Sequence, residues 1–259
     1  MITQPNHLPV ALVTGAANRI GAAIASSLAG AGYAVIVHHR GDAEDSAKLV
    51  AQIKDEGGQA ATLKADLAIR KQRDTFIARA AKPFGPLSVL VNNASSFAPD
   101  SALDLNEELW DRHFAIHAEA PAFLSRDFAN QLPPGVEGNI VNIIDERVLH
   151  LSPANFSYTL SKAVLWTMTQ TLAQSLAPRI RVNAVAPGAT LAEKYQTAAA
   201  FRRSHTATPL GHGAEVDDIT TAVLYLLNAP SITGQMIAVD GGKHLEFPRA
   251  RGVTPRQAK

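Results

Sequence analysis

Cysteine is absent from the chain. That excludes disulfides, a thiol nucleophile and cysteine-ligated metals, and it fits a reducing compartment. Long apolar runs are absent too, and none approaches the roughly eighteen residues of a membrane span. Met1 to Pro9 lacks the basic-then-apolar order of a secretory leader, so a cytoplasmic location is expected. The histidines are scattered without ligand spacing, so no metal site is expected. No internal repeat is visible. Nor does one sign of charge dominate: 24 Lys and Arg oppose 23 Asp and Glu, for a net +1. Residues Arg249 to Lys259 hold three Arg and one Lys and no acid, so removing those four charges takes the net from +1 to −3. A mildly acidic body has no basic stripe for nucleic acid. Residues 249–259 are expected to be a flexible basic tail. Residues 1–248 would then form a single domain, a length that α/β folds often reach undivided.

What is present suits a large core: 46% hydrophobic against 18% charged residues. Short Val/Ile/Leu-rich runs alternate with longer amphipathic ones. The predicted strands are Val10 to Thr14, Ala34 to His38, Ala60 to Lys64, Val89 to Asn92, Asn139 to Ile143, Arg181 to Val185 and Met236 to Val239. The predicted helices are Arg19 to Ala31, Ala43 to Glu56, Lys71 to Pro83, Asn106 to Asn130, Ser157 to Ala177 and Glu215 to Asn228. Continuous apolar strands are those of a parallel sheet covered on both faces. Strand then helix, repeated, predicts an α/β, doubly wound parallel sheet of about seven strands with helices on both faces. Ligands of such sheets bind beyond the carboxyl ends of the strands.

The first strand runs into Thr14-Gly15-Ala16-Ala17-Asn18-Arg19-Ile20-Gly21. Gly15 permits a tight turn, Gly21 permits close packing, and the helix N-terminus offers free N–H groups to a pyrophosphate. A glycine pair alone is weak evidence, but its place between the first strand and an amphipathic helix is that of a Rossmann-type dinucleotide site. The second strand ends in His38-His39-Arg40, with no acid for a ribose hydroxyl until Asp42. Arg40 and Arg19 would instead suit a 2′-phosphate, so NADPH/NADP is the expected cofactor. Asp66, beside Leu67, would reach the adenine amino group or simply serve its own turn. Asn93, Ala94 and Ser95 would lie along the cofactor, and amide side chains such as those of Asn92 and Asn93 can tie adjacent strands together.

Tyr158 and Lys162 are four apart on one helix face. An ammonium beside a phenol favours the phenolate, which would make Tyr158 a proton donor and acceptor near neutral pH. Asp145 directly follows the fifth strand.

Together these motifs resemble the short-chain dehydrogenase/reductase family over nearly the whole chain, from the Thr14 turn to Asp240-Gly241-Gly242. Tyr158-x-x-x-Lys162 matches that family's active site, and Asn183 to Gly188 its nicotinamide-side segment, ending in Pro187 and Gly188. Within the family the chain looks most like pteridine reductases and bacterial dihydromonapterin reductases. Three features carry this: Arg19 in place of a glycine, Ser95-Ser96-Phe97 after Asn93-Ala94, and Asp145 in place of the usual serine. The resemblance implies that Phe97 stacks on a pterin, that Ser95 and Arg19 touch pterin or phosphate, and that Asp145 and Tyr158 meet the substrate. It also implies a homotetramer. His117 stands where the family has an asparagine that anchors a relay water; it would hold that water or be a core histidine.

An ionised Asp145 would repel a ketone oxygen but accept from pterin N–H groups. If burial raised its pKa it could also help protonate a ring nitrogen. The expected activity is therefore C=N reduction in a dihydropterin or dihydrofolate. The competing readings are a general NADPH-dependent carbonyl reductase and a catalytically idle NADP(H) sensor. Thr190 to Pro209 looks like a substrate-covering loop with its own helix.

Overall fold

The structure is a computed structural model that describes residues 8–41, 43–192 and 196–245. The tail at 249–259 lies outside the described residues. Seven strands form one sheet: β1 (Val10–Val13), β2 (Ala34–His39), β3 (Gln59–Lys64), β4 (Leu87–Asn92), β5 (Gly138–Ile143), β6 (Ile180–Pro187) and β7 (Met236–Val239). Their order is β3-β2-β1-β4-β5-β6-β7, and every pairing is parallel. The order reverses between β1 and β4, and that switch point opens the crevice that holds the site.

Alternation along the strands builds two cores. Ala11, Val13, Val35, Val37, Val89 and Val91 face α1 (Arg19–Gly30), α2 (Ala43–Asp55) and the late α9 (Val216–Leu227). Leu12, Ile36, Leu90, Ile140 and Val182 face the other way, toward α4 (Phe76–Ala80), α6 (Ala120–Gln131) and α7 (Phe156–Leu176). Each fully buried side chain of this size contributes about 1.5–3 kcal/mol. Sheet positions are thereby specified far more strongly than loop positions.

Two predicted helices are broken. Lys71 to Pro83 is divided into α3 (Arg70–Arg73) and α4. Arg73 turns inward, donating to the Leu67 carbonyl at 2.8 Å and pairing with Glu119 at 2.7 Å. The chain then restarts to bury Phe76. Asn106 to Asn130 is α5 (Glu107–Phe114), a π-helical turn (Ala115–Glu119) and α6. The Ala120 N–H bonds to the Ala115 carbonyl, five residues back rather than four, and Pro121, which has no N–H, cannot give the His117 carbonyl its i→i+4 donor. Residues 190–209 carry the expected helix, α8 (Ala198–Thr206), with 193–195 outside the described residues. No helix among the described residues is long and apolar enough to cross a membrane.

Candidate active site

The loop after β1 is gripped from three sides. Gly15 has φ +63°, and a Cβ there would lie 2.9 Å from the Ala94 Cα; one on Gly21 would collide with the Gly15 carbonyl and the Asn93 amide. Asn93 Nδ2 donates to the Thr14 and Gly15 carbonyls, both at 2.9 Å. The Asn93 and Ala94 N–H groups donate to Thr14 Oγ1 at 2.9 Å. Gly15 N–H donates to His38 Nδ1 at 2.9 Å, so the other ring nitrogen carries the proton and donates to the Ala65 carbonyl at 3.1 Å. Burial pushes the His38 pKa down to about 4. His38 and His39 are both buried, and Arg40 is the first exposed side chain beyond them. Asn92 does tie strands: its Nδ2 donates to Asn142 Oδ1 at 2.8 Å.

Arg19 has φ +54°, a left-handed conformation that explains why glycine is usual there. Its guanidinium donates to the Ala192 carbonyl at 3.0 Å and to the Leu191 carbonyl at 3.4 Å. Ile20 packs against the first core. Helix α1 begins on Asn18 with no side-chain cap and no acid in its first turn. Asp66 uses Oδ1 to accept from Ala68 N–H at 3.0 Å, the turn role that competed with adenine binding. Leu67 and Pro187 are buried, and a Cβ on Gly188 would sit 2.7 Å from the Asp240 Cβ.

At the other end of the crevice, β5 delivers Asp145 and α7 delivers Tyr158 and Lys162. Tyr158 Oη donates to Asp145 Oδ2 at 2.9 Å. Phe97 meets the Tyr158 ring edge-on at 4.9 Å. It is 38% exposed, so part of the ring is open to solvent. Lys162 Nζ donates to the Ile143 carbonyl at 2.8 Å and lies 5.8 Å from the Tyr158 ring centroid. Burial lowers the Lys162 pKa to about 8, while Asp145 opposes the shift. Burial, then the Asp145 carboxylate, hold the Tyr158 phenol well above its ordinary value; Arg147 and the Ser95 hydroxyl act the other way. This is opposite to the direction expected from the Tyr/Lys spacing. In this state Tyr158 is a protonated donor. The neighbouring acid pushed upward is Glu146, to about 7, by burial first and then by Asp145.

Arg40 and Asp66 stand apart at the ends of β2 and β3, whereas Asp145, Tyr158, Lys162, Phe97 and Ser95 converge. His117 is a fully bonded buried ring. Its Nε2 accepts from Ser96 N–H at 3.2 Å and faces Ser95 Oγ at 3.0 Å, so Nδ1 carries the proton and donates to Ser161 Oγ at 2.8 Å. Ser161 passes the chain to the Tyr158 carbonyl at 2.7 Å. His117 thus ties the Ser95–Ser96 loop to α7, and burial drives its pKa well below 6.5.

Sequence reading missed three supporting groups. Asp100 caps α7 from a distant loop, accepting from Ser157 N–H at 3.1 and 3.2 Å and from the Ser157 hydroxyl. His113 Nδ1 donates to that same hydroxyl at 2.7 Å. Arg147 binds Asp145. The contacts of Asp100 and His113 span 44 or more residues and leave no local pattern. The Asp145–Arg147 spacing does carry a signal: an aspartate two residues before an arginine that follows a strand end.

Residues 15–244 match the family model described as enoyl-(acyl carrier protein) reductase. The chain belongs to the short-chain dehydrogenase/reductase family of oxidoreductases. It is similar to FolM alternative dihydrofolate reductase 1 from Brucella canis, solved with NADP: 44% identity, TM-score 0.90, covering 96% of this chain and 97% of that one. It also resembles the angucycline C-6 ketoreductase LanV with bound NADP, at 32% identity and TM-score 0.85, over 92% of this chain and 96% of that one. An uncharacterized oxidoreductase of Methylorubrum extorquens is 34% identical over 241 residues, 90% of this chain and 96% of the relative.

Proposed function

We propose that the protein is an NADPH-dependent reductase of pterin-type heterocycles, acting on the C=N bond of a dihydropterin or dihydrofolate. The observation that carries this reading is the contact of the Tyr158 hydroxyl with a carboxylate, Asp145, at 2.9 Å, with the half-open Phe97 ring beside it. The NADP-bound Brucella neighbour, at 44% identity, supports the same cofactor and substrate class.

The residues present fit NADP(H). The uncapped start of α1 leaves N–H groups and positive dipole for a pyrophosphate. Arg19 and Arg40 are exposed cations of the type that pairs with a 2′-phosphate. Gly15, Ile20, Gly21, Asn93, Ala94, Ser95, Pro187 and Gly188 would line the cofactor, with Lys162 on its ribose side. His38 would act from beneath, through Gly15.

Bound NADPH supplies a hydride. Tyr158 keeps its proton on Oη at neutral pH, because burial and Asp145 both disfavour the phenolate. A protonated phenol serves reduction, which consumes a proton, better than oxidation, which needs a base. Asp145 would accept from ring N–H and amino groups, and Phe97 would hold the ring flat. Orientation of that kind can supply several kcal/mol of barrier lowering.

A ketone-reducing role is the second reading, favoured by the LanV neighbour. NADPH oxidation measured with dihydrobiopterin, dihydrofolate and a panel of simple ketones separates the two. Pterin turnover at the higher kcat/KM supports the proposal, and activity confined to ketones overturns it. A homotetramer also belongs to this reading: Leu160 and Val164 on α7 are 38% and 39% exposed, one turn apart. A monomer mass by light scattering would remove it.

A further inference from the structure

We propose that Arg147 is a positioning residue of this site, gripping the Asp145 carboxylate so that Oδ2 faces the Tyr158 hydroxyl and closing the edge of the Phe97 pocket. The inference rests on the pterin reading and adds a residue to it.

The geometry is a chelate made by one short turn. Asp145 caps the 3₁₀ turn Glu146–Val148. Its Oδ1 accepts from the Arg147 backbone N–H at 3.0 Å and from Arg147 Nη1 at 3.3 Å. Its Oδ2 accepts from the same Nη1 at 3.1 Å and from Tyr158 Oη at 2.9 Å. A carboxylate on one freely turning bond would otherwise present either oxygen to the phenol. With backbone and side chain of one residue both on it, a single orientation is held. The guanidinium carbon also lies 5.5 Å from the Phe97 ring centroid, within cation–π range. Arg147 therefore touches both side chains that distinguish this site from a serine-bearing one. Its side chain is 28% exposed against 14% for Asp145, so it forms the outer wall of the pocket rather than its floor.

The charges around it make the role measurable. Asp145 and Glu146 share its turn and Tyr158 feels its charge from α7, while Asp240 and Lys243, in the C-terminal segment that packs on this turn, act on Glu146, and Asp145 acts on Lys162. Arg147 lowers the pKa of both Glu146 and Tyr158, so removing its charge raises both. A merely structural arginine would leave the pH profile in place.

The test compares wild type with Arg147→Met and Arg147→Lys in full-length enzyme, reading kcat, KM and the pH–rate profile with dihydrobiopterin and NADPH. For Arg147→Met, kcat falls roughly tenfold or more, as for other small losses of alignment. KM for NADPH stays within about twofold, since Asp145 and Phe97, which Arg147 grips, lie on the substrate side, and the alkaline limb, set by Tyr158, moves to higher pH. Arg147→Lys restores that limb and part of kcat, because it returns charge without the fork. If Arg147→Met does not fold, Arg147→Gln takes its place. A folded neutral variant with wild-type kcat and an unmoved profile overturns the inference. A wild-type enzyme inert toward every pterin overturns the functional reading itself, which is a separate outcome.

Discussion

The two ends of the crevice are built from different materials. The loop end is glycine and backbone: Gly15 and Gly21 sit where no Cβ fits, and Asn93, Thr14 and His38 hold the chain by main-chain hydrogen bonds. The reaction end is side chain on side chain: Tyr158 on Asp145, Asp145 on Arg147, Phe97 against the Tyr158 ring and the Arg147 guanidinium. The first end is rigid by exclusion and tolerates little change. The second is an electrostatic balance, so the same substitutions there alter chemistry more than fold.

Four expectations test that contrast, from the largest effect to the smallest. Tyr158→Phe removes only an oxygen at the reaction end. Its kcat should fall by about 10²–10⁴, the usual worth of a general acid, with NADPH binding retained; fluorescence titration and steady-state kinetics check both halves. Acid attacks the loop end instead. Folding keeps His38 neutral, with its pKa at about 4 against 6.5 unfolded. Its contribution is full above pH 6.5 and is lost as pH falls toward 4, on the order of 3 kcal/mol in all. Burial shifts His113 and His117 in the same direction. Urea unfolding between pH 7 and 4 should show this decline, and a flat profile would contradict it. Gly21→Ala would ordinarily favour a helix by ~1 kcal/mol. Here the new Cβ meets the Gly15 carbonyl, so a net loss of about 1–3 kcal/mol is expected in the same assay, together with weakened NADPH binding. Phe97→Ala, at a half-exposed ring, should leave stability nearly unchanged and raise KM for a dihydropterin roughly tenfold while KM for NADPH stays put. Equal rises in both KM values would show that the two ends are not independent.

How far the chain could be read in advance follows the same division. Strands such as Val10 to Val13 and Ile140 to Ile143 were legible because burial on both faces demands an apolar run. The breaks in the helices were not. The π turn at Ala115–Glu119 rests on the Ala120 N–H reaching the Ala115 carbonyl, a one-residue slip that no hydrophobic period announces. Tyr158, Lys162 and Asp145 could be picked out by spacing and position. Their ionisation could not: the spacing promised a phenol eased toward phenolate, whereas burial and Asp145 hold it protonated. Nor could the buried carboxyl of Glu146, raised to about 7 by burial and then by Asp145.

Taken alone, the order of residues determined the parallel α/β sheet, the glycine turn and the membership of Tyr158 and Lys162 in one site. Each of these follows from local sterics or from a repeat along the chain. Only the tertiary structure decided the partners of the buried polar groups: Asp100 on α7, His38 beneath Gly15, Lys162 on the Ile143 carbonyl. Hydrogen bonds and desolvation depend on which atoms are adjacent in space, and adjacency across dozens of residues exists only after the core has closed.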